Sequence, residues 1–204
     1  MTKRDEDAAR IEGGAPQGVG LLIIDMINDL AFEGAEALRS KAGDLATAVR
    51  RLRDEADRLG VPVVYVNDNY GQWRSETSKI VEACSREGSP GREMVRRIAP
   101  RDGDYFVIKP QFSGFYATNL PVLLPRLGVN RLVLTGLATE ICVLFTAGDA
   151  HMREYDLWIP ADAVASEDDR HRDWALEIMR KSMEAETSSS TELSLADWLS
   201  LGMR

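Results

Sequence analysis

The chain has 204 residues, a formal net charge of -8 and two cysteines. This length suits one α/β domain with a sizeable core, and the acidic balance without a basic stripe argues against nucleic acid as a partner. Two cysteines do not make a disulfide framework, so we expect a reduced, cytoplasmic protein. The N-terminus lacks the apolar segment of a signal peptide, and the apolar run at 19–24 is too short to cross a membrane.

Apolar segments alternate with amphipathic ones along the chain, which predicts strands separated by helices. The first apolar run is continuous, as is typical of a parallel sheet covered on both faces. Strands are predicted at 19–24, 61–66, 105–108, 131–135 and 155–160, with a short sixth at 188–193. Helices are predicted at 45–59, 76–86, 140–152, 167–185 and 195–199, with a short or broken helix in 116–127. Ser166 and Ser194 are the predicted N-caps of the last two full helices. We therefore predict a tail at 1–16 and one domain at 17–204, a three-layer α/β/α sandwich with a mainly parallel, Rossmann-like sheet.

Three chemically potent side chains follow predicted strands: Asp25, Lys109 and Cys142. In open α/β sheets, ligands bind at the carboxyl edge of the strands, where all three are expected to lie. Gly136 ends its strand, so Cys142 falls in the first turn of the next helix. Unpaired N–H groups and the helix dipole are expected to lower the thiol pKa there. Each residue alone is compatible with packing, loop capping or solvation, but their coincidence at one edge favours a functional site.

A carboxylate, an ammonium and a thiol are sufficient for nucleophilic catalysis without a cofactor. Asp25 would accept the thiol proton, Lys109 would hold the carboxylate, and the thiolate of Cys142 would attack a carbonyl carbon. The N–H groups of Ala138 and Cys142 would receive the oxyanion, and Asp25 would protonate the leaving amine. The two histidines, His151 and His171, are not spaced as metal ligands, so no metal is expected.

These residues lie in segments that resemble the isochorismatase-like cysteine hydrolases, which include nicotinamidases and N-carbamoylsarcosine amidases. The resemblance covers residues 17–165. It rests on Leu-Leu-Ile-Ile-Asp-Met-Ile-Asn-Asp-Leu at 21–30, Val-Ile-Lys-Pro at 107–110 and Thr-Gly-Leu-Ala-Thr-Glu-Ile-Cys-Val at 135–143. It implies that Asp25 is the catalytic acid and base, that the Leu137–Ala138 peptide is cis and directs an amide at the oxyanion, and that the protein forms a dimer or tetramer.

The chain also departs from the family pattern. The family often has phenylalanine at Leu30, in a position that faces the substrate. Nicotinamidases have an Asp-x-His metal motif where this chain has Asp68-Asn-Tyr70, so a metal ligand is missing and nicotinamide is disfavoured. A cysteine nucleophile favours a C–N bond over a vinyl ether.

We predict a hydrolase of a small amide, ureido or carbamoyl compound. The residues predicted to contact this substrate are Leu30, Tyr70, Trp73, Phe115 and Tyr116, for which ordinary packing is the alternative interpretation. An ether hydrolase of the isochorismatase type, and a thiol sensor or scaffold without enzymatic activity, are the alternative functions.

Overall fold

The computed structural model describes residues 18–71 and 76–201, and its core is one parallel sheet. Its strands are β1 Val19–Ile24, β2 Val63–Asp68, β3 Tyr105–Lys109, β4 Arg131–Leu137, β5 Asp156–Trp158 and β6 Val164–Ala165. The order is β3-β2-β1-β4-β5, and β6 pairs with the last residues of β4. The predicted parallel sheet is confirmed. The predicted tail at 1–16 lies outside the described residues.

Helices cover both faces of this sheet. They are α1 Ala35–Leu59, α2 Thr77–Ser85, α3 Arg92–Ile98, α4 Leu120–Arg126, α5 Leu144–His151, α6 Asp169–Ser182 and α7 Leu195–Ser200. Side chains of α1, α2, α3 and α7 form one core with Leu21 and Ile23 of β1, whereas α4, α5 and α6 form the other with Leu22 and Ile24. The strand is apolar throughout because it is buried on both faces. No helix in the described part of the chain is long and apolar enough to span a membrane.

Strand register brings the ends of four strands to one edge. Ile24, the last residue of β1, pairs with Val66 of β2 and Gly136 of β4. Lys109 ends β3 opposite Asp68. Strand order reverses between β1 and β4, which is where open α/β sheets bind ligands. Gly136 has a φ of 118°, and a Cβ there would lie 1.9 Å from the carbonyl oxygen of Ile24, so only glycine fits between these strands.

The serine-rich segment at 188–193 is not the sixth strand, contrary to the sequence prediction. The backbone N–H groups of its first residues bond to side chains instead, as shown by Ser188 with Glu186 at 2.8 Å and Ser190 with Asp162 at 2.7 Å. Such side-chain bonds compete with sheet pairing.

The helices differ from the sequence prediction at two places. The short helix α3 was not predicted. The N-cap of α6 is Asp168, whose side chain accepts the N–H of Arg170, so Ser166 is not the cap.

Candidate functional site

Asp25 directly follows β1 and is almost completely buried. Its φ of 52° lies in the left-handed region, which residues other than glycine rarely adopt and which often marks functional positions. One carboxylate oxygen, Oδ1, accepts the backbone N–H of Asp68 at 2.7 Å. The other, Oδ2, lies 2.8 Å from Nζ of Lys109. The end of β2 and the Lys109 ammonium therefore hold the carboxylate in one orientation.

Lys109 is the last residue of β3, and its side chain is completely buried. Besides Asp25, its Nζ lies 3.3 Å from Sγ of Cys142 and 3.6 Å from Oδ2 of Asp68. A buried ammonium is costly unless it is paired. The carboxylates of Asp25 and Asp68 supply that pairing, and the Cys142 thiol also lies beside the ammonium.

Cys142 lies in a π-helical turn, Thr139–Val143, that connects β4 to α5 and that we call the Cys142 turn. The sequence predicted an α-helical first turn at this position. Single π turns occur frequently at functional sites. The half-buried thiol lies 3.3 Å from the Lys109 ammonium, and the nearby Asp25 carboxylate contributes to raising the thiol pKa. The structure thus brings together Asp25, Lys109 and Cys142 at the carboxyl ends of β1, β3 and β4.

The pKa values of all three residues respond to this burial. Burial raises the pKa of Asp25, against the opposing effects of Lys109 and of hydrogen bonds from Cys142 and Asp68. Burial also raises the pKa of Cys142 to about 12, with a further increase from Asp25 and an opposing effect of Lys109. Burial alone would lower the pKa of Lys109, but the charge of Asp25, and that of Cys142 when it ionises, raise it above its usual value.

The expected lowering of the thiol pKa is therefore wrong. Burial and the Asp25 carboxylate outweigh the helix terminus and the Lys109 ammonium. The resting centre contains a neutral thiol beside a carboxylate that is more basic than a free aspartate.

The predicted oxyanion donors lie in the same short segment as the thiol. Ala138 immediately precedes the Cys142 turn, and the Leu137–Ala138 peptide bond is cis. The carbonyl of Ala138 accepts the N–H groups of Ile141 and Val143, each at 3.2 Å, which fixes the beginning of the turn. The role of the Ala138 and Cys142 N–H groups as oxyanion donors stays a prediction.

Two residues predicted to contact substrate, Leu30 and Phe115, are buried. Leu30 is completely buried among side chains beneath α1. Phe115 is 3% exposed, and its ring centre lies 6.1 Å from that of Tyr155 and 4.9 Å from the guanidinium of Arg153. Arg153 and Tyr155 follow the end of α5, whereas Cys142 precedes its beginning. These contacts place Phe115 in the core beside the C-terminal end of α5; contact of Phe115 or Leu30 with a substrate stays a prediction.

The other predicted contact residues differ in position. The ring of Tyr70 is 41% exposed and lines a cleft of about 290 Å³ between the loop after β1 and α2. Its hydroxyl donates to the carbonyl of Ile27 at 2.6 Å. Tyr116 is 60% exposed. Trp73 lies outside the described residues. Contacts of these residues with a substrate stay predictions.

The place of the nicotinamidase metal motif does not fit a metal here. Oδ1 of Asp68 accepts the backbone N–H of Tyr70 at 2.6 Å, and its Oδ2 faces the Lys109 ammonium. Burial raises the pKa of the Tyr70 phenol well above 10, which makes this group a poor anionic ligand. Within residues 18–71 and 76–201, no three His, Cys, Asp or Glu side chains form a group that could hold a metal.

Sequence reasoning missed two residues that support Asp25. Asn67 is 1% exposed; its Oδ1 accepts the N–H of Ile27 and its Nδ2 donates to the carbonyl of Ile27, both at 3.0 Å. The sequence pattern indicates Asp68 only as part of a metal motif, whereas its backbone N–H donates to the Asp25 carboxylate. Two polar residues at the end of an otherwise apolar strand, Asn67 and Asp68, are the signal that could have identified them.

Comparisons with known proteins identify the family of this chain. A family model described as the isochorismatase domain matches residues 19–192, which extends the resemblance beyond residue 165. The uncharacterized isochorismatase family protein YaaI of Bacillus subtilis (strain 168) is 40% identical over 173 residues, covering 85% of this chain and 94% of that protein. A ureidoacrylate amidohydrolase, RutB of Methylorubrum extorquens, is 43% identical over 169 residues, covering 71% of this chain and 68% of that protein. The crystal structure of N-carbamoylsarcosine amidase from Thermoplasma acidophilum matches with a TM-score of 0.67 and 30% identity, covering 86% of this chain and 98% of that one.

Proposed function

This chain belongs to the isochorismatase family and is a hydrolase, and we propose that it cleaves the C–N bond of a small amide, ureido or carbamoyl compound. Asp25, Lys109 and Cys142 would form the catalytic triad, with a thioester on Cys142 as the covalent intermediate. The observation that carries the proposal is the position of the Lys109 ammonium, 2.8 Å from the Asp25 carboxylate and 3.3 Å from the Cys142 sulfur.

The first half of the reaction forms the thioester. The neutral thiol of Cys142 gives its proton to the Asp25 carboxylate as its sulfur attacks the substrate carbonyl carbon. The carbonyl oxygen becomes an oxyanion that the N–H groups of Ala138 and Cys142 stabilise. The tetrahedral intermediate collapses, the C–N bond breaks, and Asp25 returns the proton to the leaving nitrogen. The products of this half are a free amine or ammonia and an acyl group bound to sulfur.

The second half releases the acyl group. A water molecule attacks the thioester carbonyl and gives a proton to Asp25. The C–S bond breaks, the carboxylic or carbamic acid leaves, and the proton returns to sulfur. Lys109 keeps its charge throughout, orients the Asp25 carboxylate and stabilises negative charge on the sulfur. The raised pKa of Asp25 matches its task, because a more basic carboxylate accepts a thiol proton more readily.

The names of the relatives support a C–N bond as the target. The ureidoacrylate amidohydrolase and the N-carbamoylsarcosine amidase are named for a ureido and a carbamoyl substrate. An amine is a poor leaving group unless it is protonated, and Asp25 is placed to supply that proton after accepting it from the thiol. The cysteine and the buried proton carrier together therefore favour an amide-type substrate over an ether.

The test is an ammonia-release screen across small amides, ureas and carbamoyl acids. The variant Cys142→Ala is the blank, and Cys84→Ser is the matched thiol control, because Cys84 is 4% exposed with a pKa raised by burial to about 11. We expect turnover of at least one compound by the wild type and Cys84→Ser, none by Cys142→Ala, and an acyl adduct on Cys142 by mass spectrometry with a slow substrate. Turnover that survives in Cys142→Ala, or reversible oxidation of Cys142 with no hydrolysis of any compound, would contradict the proposal.

A further inference from the structure

Glu140 is an acidic residue of the Cys142 turn that the proposed reaction does not use. It lies two positions before Cys142, and its side chain is only 24% exposed. One carboxylate oxygen, Oε2, accepts the hydroxyl of Ser166. The other, Oε1, lies 3.8 Å from Nδ1 of His171 on α6. The turn that carries the thiol is thus bonded through Glu140 to the segment between β6 and α6.

Ser166 is a firm anchor for this bond. The residue is completely buried, and its hydroxyl is not engaged in capping α6, because Asp168 has that role. Its carbonyl accepts Nζ of Lys41 from α1 at 2.8 Å, and the same ammonium pairs with Asp169 at 2.8 Å. The anchor is therefore tied to the longest helix of the fold.

At its own beginning, the Cys142 turn is held by backbone bonds to the Ala138 carbonyl and has no side-chain cap. Its N-cap is Ala138, which has no side-chain group to accept a hydrogen bond. A hydrogen bond from a hydroxyl to a carboxylate is shorter and stronger than one between neutral groups, and the difference increases where water is excluded. The Glu140–Ser166 bond is thus a side-chain restraint on the rotation of the turn relative to the sheet.

We propose that Glu140 is a positioning residue for the Cys142 nucleophile, acting through the hydroxyl of Ser166; this inference rests on the proposed function of Cys142. Without the bond, the turn samples orientations in which the sulfur lies away from Asp25 and Lys109. A displacement of about 1 Å in a reacting group is sufficient to slow a reaction by one or two orders of magnitude. Ground-state binding of the substrate, which does not involve Glu140, is unaffected.

The experiment compares Glu140→Ala, Ser166→Ala, their double variant and Glu140→Gln. All are made in the Cys84→Ser background, so that Cys142 is the only thiol. Glu177→Ala is the control for loss of an acid from the same layer, because Glu177 lies on α6 and pairs with Arg180 and Lys181 at the surface. The readouts are kcat per titrated Cys142 thiol, KM, and the rate of Cys142 alkylation by iodoacetamide without substrate.

We expect Glu140→Ala and Ser166→Ala each to lower kcat per thiol and the alkylation rate by about tenfold, with KM unchanged. The double variant should be no slower than the slower single variant, because both changes remove the same bond. Glu140→Gln keeps an oxygen acceptor for Ser166 and should stay within about threefold of wild type. Glu177→Ala should match wild type.

A merely structural role would reduce the fraction of titratable thiol and leave kcat per thiol unchanged. That result, or singles whose effects multiply in the double variant, would overturn the positioning role. If Glu140→Ala does not fold, the comparison of Ser166→Ala with wild type still decides the question. Failure of the proposed function would be recognised by a different result, which is turnover that survives in Cys142→Ala. The alkylation rates test positioning without any substrate.

Discussion

The Lys109 centre and the cluster around Arg53 both bury a cation completely, but they differ in what surrounds the charge. Arg53, on α1, donates to the Tyr65 hydroxyl at 2.9 Å and pairs with Asp104 and, at 3.2 Å, with Asp57. All these acceptors are oxygens. One neighbour of Lys109, by contrast, is the sulfur of Cys142, a weak acceptor.

A raised carboxyl pKa does not separate the two clusters. Burial raises the pKa of Asp104 beside Arg53, as it raises that of Asp25 beside Lys109. What separates them is that only the Lys109 centre contains a nucleophile and lies at the carboxyl edge of the sheet. Buried ion pairs therefore indicate a functional site only together with a group that can react.

The largest expected difference between the clusters is in catalysis. Asp25→Asn cannot accept the thiol proton, and Lys109→Met removes the charge that orients the carboxylate. We expect each to lower kcat by at least about a hundredfold, the lower end for general acid–base catalysis. Steady-state kinetics on a substrate from the screen measure this, with circular dichroism to verify folding. A loss below tenfold in either variant would exclude that residue from the triad.

Arg53→Met is expected to lower stability and to leave catalysis almost unchanged. This variant leaves Asp104, whose side chain is 8% exposed, without its buried partner. We expect the free energy of unfolding to fall by about 3–5 kcal/mol, as is usual when one partner of a buried pair is removed. Urea denaturation measures this change, and kcat per folded molecule should stay within twofold. Adding Asp104→Asn should recover part of the stability. A large loss of kcat with unchanged stability would make the Arg53 cluster part of the functional site.

The pH profile tests the Lys109 centre more finely. The reaction needs Asp25 ionised, so kcat/KM should fall as the pH falls through the pKa of Asp25. Because burial raises that pKa, the midpoint should lie above 3.8, the usual value. Asp68→Asn removes a negative charge 3.6 Å from Nζ of Lys109 but keeps an oxygen for the N–H of Tyr70. Loss of a nearby anion favours ionised Asp25, so the midpoint should move to lower pH. An upward shift would contradict this electrostatic account.

No effect is expected from metal removal. Asp68 is engaged by the Tyr70 N–H and the Lys109 ammonium, and the Tyr70 phenol replaces the imidazole of the nicotinamidase motif. Activity should survive dialysis against EDTA and dipicolinate, with metal content measured by mass spectrometry before and after. Loss of activity that returns with zinc, iron or manganese would show that a metal participates, and nicotinamide would again be a candidate substrate.

The sheet and the positions of the triad could be predicted because their signals are local. Continuous apolar runs identified β1 and β4; Asp25 follows β1 directly, and Cys142 lies in the turn that comes after β4. Gly60, which directly follows the helix predicted at 45–59, has a φ of 69° and caps α1 with N–H bonds to the carbonyls of Ala56 and Asp57. In each case a few neighbouring residues decide the structure.

Features that depend on distant residues could not be predicted. The thiol pKa of Cys142 depends on burial and on Asp25, which lies 117 positions earlier in the chain. Ser166 fits the pattern of a helix cap, but its hydroxyl bonds to Glu140 of the Cys142 turn. Phe115 follows a strand end, as a pocket residue would, but packs against Tyr155. Local pattern does not distinguish these alternatives, because tertiary contacts determine which bond forms.

The absence of space beside Gly136 has a consequence for how this scaffold diversifies. The backbones of β1 and β4 approach closely at Gly136, beside the strand end that Asp25 follows, so any side chain at position 136 would push these strands apart. Substitution of Gly136 is therefore expected to disturb the pairing of β1 with β4. Changes in substrate preference are therefore expected in the loops around the proposed reactive centre, while β1 and β4 keep their spacing.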